Sequence, residues 1–311
     1  MSSQILSKPL PYVALILAHL IWGANFVVAK ITLQEFPPMS LALFRFAFAC
    51  ILLTPFFFAQ RRQFKIERAD LPKLILVGIL IITLNITFFF EGITRTTAIN
   101  ASILTMFIPI LSVLLGWWFL KEKIYLINLL GIFIGLFGAI VVIEIPQLLL
   151  GNFSTQQLLG NVLIILASLM WVAGAVISRQ MLAKYPSMIV TAIAFLVGTI
   201  TFLLPAGKEY LENPNWPAQV TFLGLLGLAY MTLLSSVSAY FLFEWGLSKT
   251  SVIKADLFQY IEPGVATILA ITILGEKASI PLMVGSILII AGVYLGTLAK
   301  EIHHRRKIHR V

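Results

Sequence analysis

The chain has 311 residues, 59% of them hydrophobic and 11% charged, with a mean hydropathy of +0.98. A soluble globular domain carries about 25% charged residues, so this composition excludes one and indicates an all-α integral membrane protein with no stretch left over for a separate soluble domain. The formal net charge of +9 does not argue for nucleic acid, because the basic residues stand in short loops between apolar runs, where they set topology.

Crossing the hydrocarbon core takes about 20 apolar residues. In chain order the sequence predicts ten spans, at roughly 10–30, 39–60, 71–91, 98–119, 124–145, 159–180, 187–206, 219–244, 253–274 and 279–299. The first apolar run, 10–29, is long enough to span and has only Lys8 before it, so it does not read as a cleavable signal peptide. Cys50, the one cysteine, falls inside span two, can form no internal disulfide and says nothing about redox compartment. The links Lys121-Glu122-Lys123 and 275–278 are so short that spans four and five, and nine and ten, must be antiparallel neighbours. With the N-terminus inside, the inner segments carry seventeen Lys and Arg, and the outer ones carry four: Lys30, Arg95, Lys208 and Lys277. That bias predicts cytoplasmic N- and C-termini. The tail HHRRKIHR then lies by anionic headgroups or simply fixes topology.

The second half repeats the first. Residues 100–143 align without a gap on 254–297 at a constant offset of 154, superposing Pro109 on Pro263, Glu122 on Glu276, Lys123 on Lys277, Gly131 on Gly285 and Gly138 on Gly292. Spans one and six correspond at offset 149, matching Ala18 with Ala167, Trp22 with Trp171, Lys30 with Arg179 and Pro37 with Pro186. The change of offset places five extra residues in the second half. The chain therefore divides into 1–150, a first five-helix repeat, and 151–311, a second with a short basic tail. Five spans per half is an odd number, so the repeats are inverted about an axis in the membrane plane, an arrangement that lets two halves rock about a site between them.

The run Trp22-Gly23-Ala24-Asn25-Phe26 leading to Lys30, with Arg45 in span two, resembles the opening of EamA-type members of the drug/metabolite transporter superfamily. So do the two copies of proline, apolar stretch, Glu-Lys and glycine-spaced helix (Pro109, Glu122, Gly131, Gly138; Pro263, Glu276, Gly285, Gly292). The resemblance covers essentially the whole chain. It implies a carrier of small metabolites, often an exporter of amino acids or related compounds, with a central cavity between the repeats and a place in the bacterial plasma (inner) membrane.

Several polar and aromatic residues lie deep in the spans. Glu262 is about nine residues, or roughly 13 Å, into span nine, where a carboxylate is costly and faces a cavity or a partner. Pro263 weakens the local hydrogen-bond ladder beside it. Glu262 either binds a substrate ammonium or couples protons, or it locks helices as a buried pair. His19 lies at similar depth in span one, as a second coupling candidate or a packing histidine. Trp22 and Asn25 share a helix face, and Trp22 recurs as Trp171, which reads as an aromatic wall from each repeat or as packing. Asn25 and Asn85 either bind solute or bridge helices. In TLLSSVSAYFLFEW, Ser235, Ser236, Ser238 and Tyr240 suggest one hydrated face of span eight, although serines also satisfy themselves on their own helix. Gln259 shares a face with Glu262. The substrate-binding candidates are thus Trp22, Asn25, Asn85, Trp171, Ser236, Tyr240, Gln259 and Glu262. Arg45 reads as snorkelling toward the outer interface, and the resemblance implies structural anchoring, as to a carboxylate, rather than substrate contact. Glu91, Glu144 and Glu244 read as interfacial, and Glu122 and Glu276 as helix-connection residues. Gly131/Gly135 and Gly292/Gly296 form close-packing steps, within the molecule or at a dimer face.

The leading expectation is a secondary exporter of amino acids, aromatic or bulky ones among them, working by alternating access as a monomer, with a homodimer as the alternative. Its partners are a small-molecule substrate and the lipid bilayer, not nucleic acid. Other carriers in view are those for nucleotide sugars, phosphorylated metabolites, lipid-linked compounds or cationic drugs; a shallow Arg45 argues against phosphate. No phosphate-binding GxxxxGK[ST] loop, HExxH or GxSxG occurs. An intramembrane enzyme or a scaffold is accordingly the weaker class, and neither cofactor nor metal is expected.

Overall fold

The computed structural model describes residues 10–60, 66–108, 110–112, 114–115, 126–142, 154–250, 255 and 257–308. Among them the chain forms ten helical segments: α1 (Leu10–Thr32), α2 (Pro38–Gln60), α3 (Leu71–Ile93), α4 (Ala98–Ser112), α5 (Leu126–Val142), α6 (Thr155–Met181), α7 (Ser187–Glu212), α8 (Phe222–Lys249), α9 (Phe258–Leu274) and α10 (Ile280–Ile308). Six of these, α1–α3 and α6–α8, are long and apolar enough to cross a membrane within their described residues. Helices are what an apolar chain must form there, because lipid offers no partner for a free N–H or C=O. Rows of large exposed side chains, such as Leu196, Ile200, Leu203 and Leu204 on α7, form the outer face. Pro109, Glu122 and Glu144 lie outside the described residues.

The helix ends are tied across the molecule by carboxylates. Glu209 accepts from the Met39 and Ser40 amides at the start of α2 (2.9 and 2.7 Å), and Glu276 from Ala98 and Ile99 at the start of α4 (2.9 and 3.0 Å). Each sits where unpaired helical N–H groups favour negative charge. Glu276 is thus a connection residue that acts on a helix distant in sequence. Glu91 stays at the end of α3, paired with Arg95.

The two halves pack as each other's counterparts. Symmetry mates meet directly: Trp22 with Trp171 (ring centroids 5.2 Å apart), Phe46 with Phe195 (5.1 Å) and Cys50 Sγ with Thr199 Oγ1 (3.7 Å). Contacts away from the axis recur in exchange. A Cβ on Gly92 would lie 3.0 Å from the Gly160 carbonyl oxygen and 2.9 Å from Ile164; one on Gly246 would lie 3.2 Å from the Pro11 carbonyl oxygen and 2.7 Å from Leu15. Against α10, a Cβ on Gly138 would lie 2.8 Å from the Gly285 carbonyl oxygen, and one on Gly292 would lie 2.6 Å from that of Gly131. Gly138 and Gly292 therefore serve packing within the chain. The third helix of each half widens to i→i+5 turns at matching places, Gly78–Leu84 and Met231–Ser238. The α7 helix continues through Pro205 to Glu212, where the sequence predicted an end near 206.

One helix connection in each half reaches the far half. At one face Glu35 accepts from the Thr221 amide and hydroxyl (2.7 and 2.8 Å). At the other, Lys184 donates to Asp70 (2.9 Å), as does the Tyr185 hydroxyl (2.8 Å). Lys184 occupies the position of Glu35 in the repeat, and Asp70 and Thr221 are both the residues before their helices. Hydrogen bonds from Lys184 and then Tyr185 hold the Asp70 carboxyl below its usual range. The bond to Asp70 raises the Lys184 ammonium.

Candidate functional site

Where the halves meet they leave a cavity of about 600 Å³, counting its open mouth, lined from both repeats. Its floor is aromatic. Trp22, Trp171 and Tyr240 stand edge-to-face with centroids 5.2–5.9 Å apart, and Phe243 backs Trp171 at 5.0 Å. The two tryptophans form one cluster at the axis rather than two facing walls. The Trp22 indole donates to the Ser235 carbonyl at 3.0 Å, bonding α1 to the widened part of α8.

His19 and Glu262 meet at one side. Nδ1 and Oε1 are 2.6 Å apart and both side chains are buried. Gly23 allows this approach, since a Cβ there would lie 2.8 Å from Val265 Cβ and 3.0 Å from the Glu262 carbonyl oxygen. The local chain contributes too. A single tight turn, Leu257–Tyr260, leads into the α-helical segment Ile261–Leu269, so Glu262 stands in a first turn and Pro263 sits where a missing N–H is tolerated. The pair can hold one proton between them. On Glu262 the proton is donated to Nδ1; on His19 it is donated to the carboxylate. His19 Nε2 is buried without a hydrogen-bond partner among the described residues. Gln259 lines the cavity together with Glu262.

Asn25 and Asn85 both line the cavity. Asn85 Nδ2 bridges α3 to α6 by donating to the Ala167 carbonyl (2.9 Å), whereas Asn25 Oδ1 is buried and has no hydrogen-bond partner among the described residues. Ser236 is not among the lining residues. Its hydroxyl accepts from Arg45 Nε at 2.6 Å, and the Ser235 hydroxyl accepts from Nη2 at 3.0 Å. Ser238 turns back to its own helix, donating to the Leu233 carbonyl, so the serine cluster is not one hydrated face.

Arg45 departs most from the sequence reading. It does not snorkel outward: it is 1% exposed, lines the cavity, lies 5.0 Å over the Phe46 ring and has no carboxylate partner among the described residues. Its Nη1 is buried with no hydrogen-bond partner among the described residues. Glu244 is likewise not interfacial. It is buried, and its two carboxylate oxygens accept from the Ser178 hydroxyl at 3.0 and 2.9 Å, because α8 runs on to Lys249. Ser235, Phe26, Phe89, Thr105 and Ser168 also line the cavity. Nothing in the sequence distinguishes Phe26 or Phe89 from packing residues.

The model of the EamA-like transporter family matches the sequence twice, over 9–144 and 158–298. An Archaeoglobus fulgidus protein named as an uncharacterized transporter is 33% identical over 93% of this chain and 98% of its own length. A Salmonella typhimurium protein named as a probable amino-acid metabolite efflux pump is 23% identical over 94% of this chain and 96% of its own. A solved crystal structure superposes with a TM-score of 0.63 at 18% identity, covering 94% of this chain and 99% of that one.

Proposed function

We propose that this chain, which belongs to the EamA-like transporter family, is a secondary carrier that exports amino acids or amino-acid-like metabolites with bulky side chains across the bacterial plasma membrane, with both termini in the cytoplasm. The observation that carries the reading is the cavity itself: both repeats line it, aromatic rings floor it, and a buried carboxylate–imidazole pair forms one side. Rings suit a large apolar side chain. The His19–Glu262 pair suits a solute ammonium or a proton, since a ligand that takes the carboxylate must displace the imidazole.

Alternating access follows from the inverted repeat. Rocking one half against the other opens the Glu35–Thr221 face or the Asp70–Lys184 face in turn, each closed by the equivalent connection of the other repeat. The Salmonella relative named as an amino-acid metabolite efflux pump agrees with the solute class. A second reading, an anionic solute such as a phosphorylated metabolite, draws on the depth of Arg45 in the cavity.

The test is efflux from purified, reconstituted protein of radiolabelled amino acids and phosphorylated metabolites, with and without a pH gradient. Movement of aromatic or branched amino acids is expected. Movement of phosphate esters alone replaces the reading with the second one.

A further inference from the structure

We infer that Arg45 is the anchor for the carboxylate of the transported solute, which makes the solute an organic acid whose carboxylate is joined closely to a large apolar group; the inference rests on the carrier reading above. A guanidinium out of water costs several kcal/mol unless an anion or a full set of hydrogen bonds compensates it. Around Arg45 the compensation is incomplete. Nε and Nη2 are taken by two neutral hydroxyls, Nη1 has no partner among the described residues, and the carboxylate of the same cavity, Glu262, is engaged by His19.

The serines do more than satisfy two donors. Ser235 and Ser236 are adjacent in the i→i+5 stretch of α8, and both hydroxyls reach the same guanidinium. This fixes the plane of the fork, and a held fork can take the two oxygens of a carboxylate side by side. The same turn accepts the Trp22 indole on the Ser235 carbonyl. The aromatic floor and the guanidinium are therefore bound to one element, which puts the apolar and anionic parts of one solute side by side.

The experiment compares binding of L-phenylalanine and L-phenylalaninamide to purified protein at pH 6, where both amines are charged. Wild type should bind the acid about 100-fold more tightly than the amide. The Arg45→Gln variant should bind both equally, with its affinity for the amide kept, and Arg45→Lys should fall between. Size-exclusion behaviour and melting temperature show whether a variant has folded; if Arg45→Gln has not, the acid-to-amide ratio of wild type and Arg45→Lys decides. Equal binding of acid and amide by a wild type that transports phenylalanine overturns the anchor and leaves the amino-acid carrier standing. A preference for the acid that persists in Arg45→Gln overturns it as well. Failure of any amino acid to bind or move removes the amino-acid reading and the anchor drawn from it, and leaves the carrier of phosphorylated metabolites.

Discussion

A single hydrogen bond, 2.6 Å between His19 and Glu262, concentrates the chemistry of this cavity. If protons drive export through it, Glu262→Gln, which keeps shape but cannot ionise, should make transport indifferent to a pH gradient while solute exchange continues. A pH dependence that survives in that variant would remove Glu262 from coupling. Replacing Trp22 or Trp171 by Ala should change which side chains are carried more than how much folded protein is made; a loss confined to abundance would mean that the rings only pack. Glu262, His19 and the tryptophans stand out in the sequence because a charged or large aromatic residue at mid-span can be located by counting from either end of its helix. Arg45 and Glu244 were misplaced for the converse reason. Near a predicted end, the count cannot tell whether a side chain turns outward to water or inward to a partner. Here the partners are Ser235, Ser236 and Ser178, on helices far away in sequence.

At the level of helices, the glycine contacts between α5 and α10 leave no room for a side chain. Gly138→Leu or Gly292→Leu drives carbon into a backbone carbonyl less than 3 Å away, and overpacking of this kind costs about 1–3 kcal/mol. Each should lower the melting temperature and the folded yield in membranes, and an unchanged melting temperature would show that the pair can part at no cost. The repeat made these contacts legible, since Gly131, Gly138, Gly285 and Gly292 align in sequence. The i→i+5 turns were not legible. Nothing in GILIITL or MTLLSSVS marks a wider winding, which depends on what the surrounding helices require of α3 and α8.

For the molecule as a whole, the Asp70–Lys184–Tyr185 cluster ties the first half to the second. The folded state holds the Asp70 carboxyl below its unfolded value of about 3.9. Its contribution to stability is therefore complete above that value and is lost as pH falls through the lower, folded one. Asp70→Asn should melt earlier than wild type at pH 6–7, and the gap should close below about pH 4; a gap that stays constant to pH 3 would mean that the carboxylate's charge contributes nothing.

An inverted repeat with identical halves would have two facing states of equal energy, each the other turned over, and no intrinsic preference between them. Any standing preference must come from places where the halves differ. The connections that close the two faces are such a place. One sets a carboxylate on a neutral amide and hydroxyl, and the other sets an ammonium on a carboxylate. Screening by salt weakens an exposed ion pair more than a hydrogen bond to a neutral group. In the alternating-access reading proposed above, ionic strength thus acts as a thumb on one side of a balance that the fold itself leaves level, and the direction in which the empty protein rests becomes a property of the solution as much as of the chain.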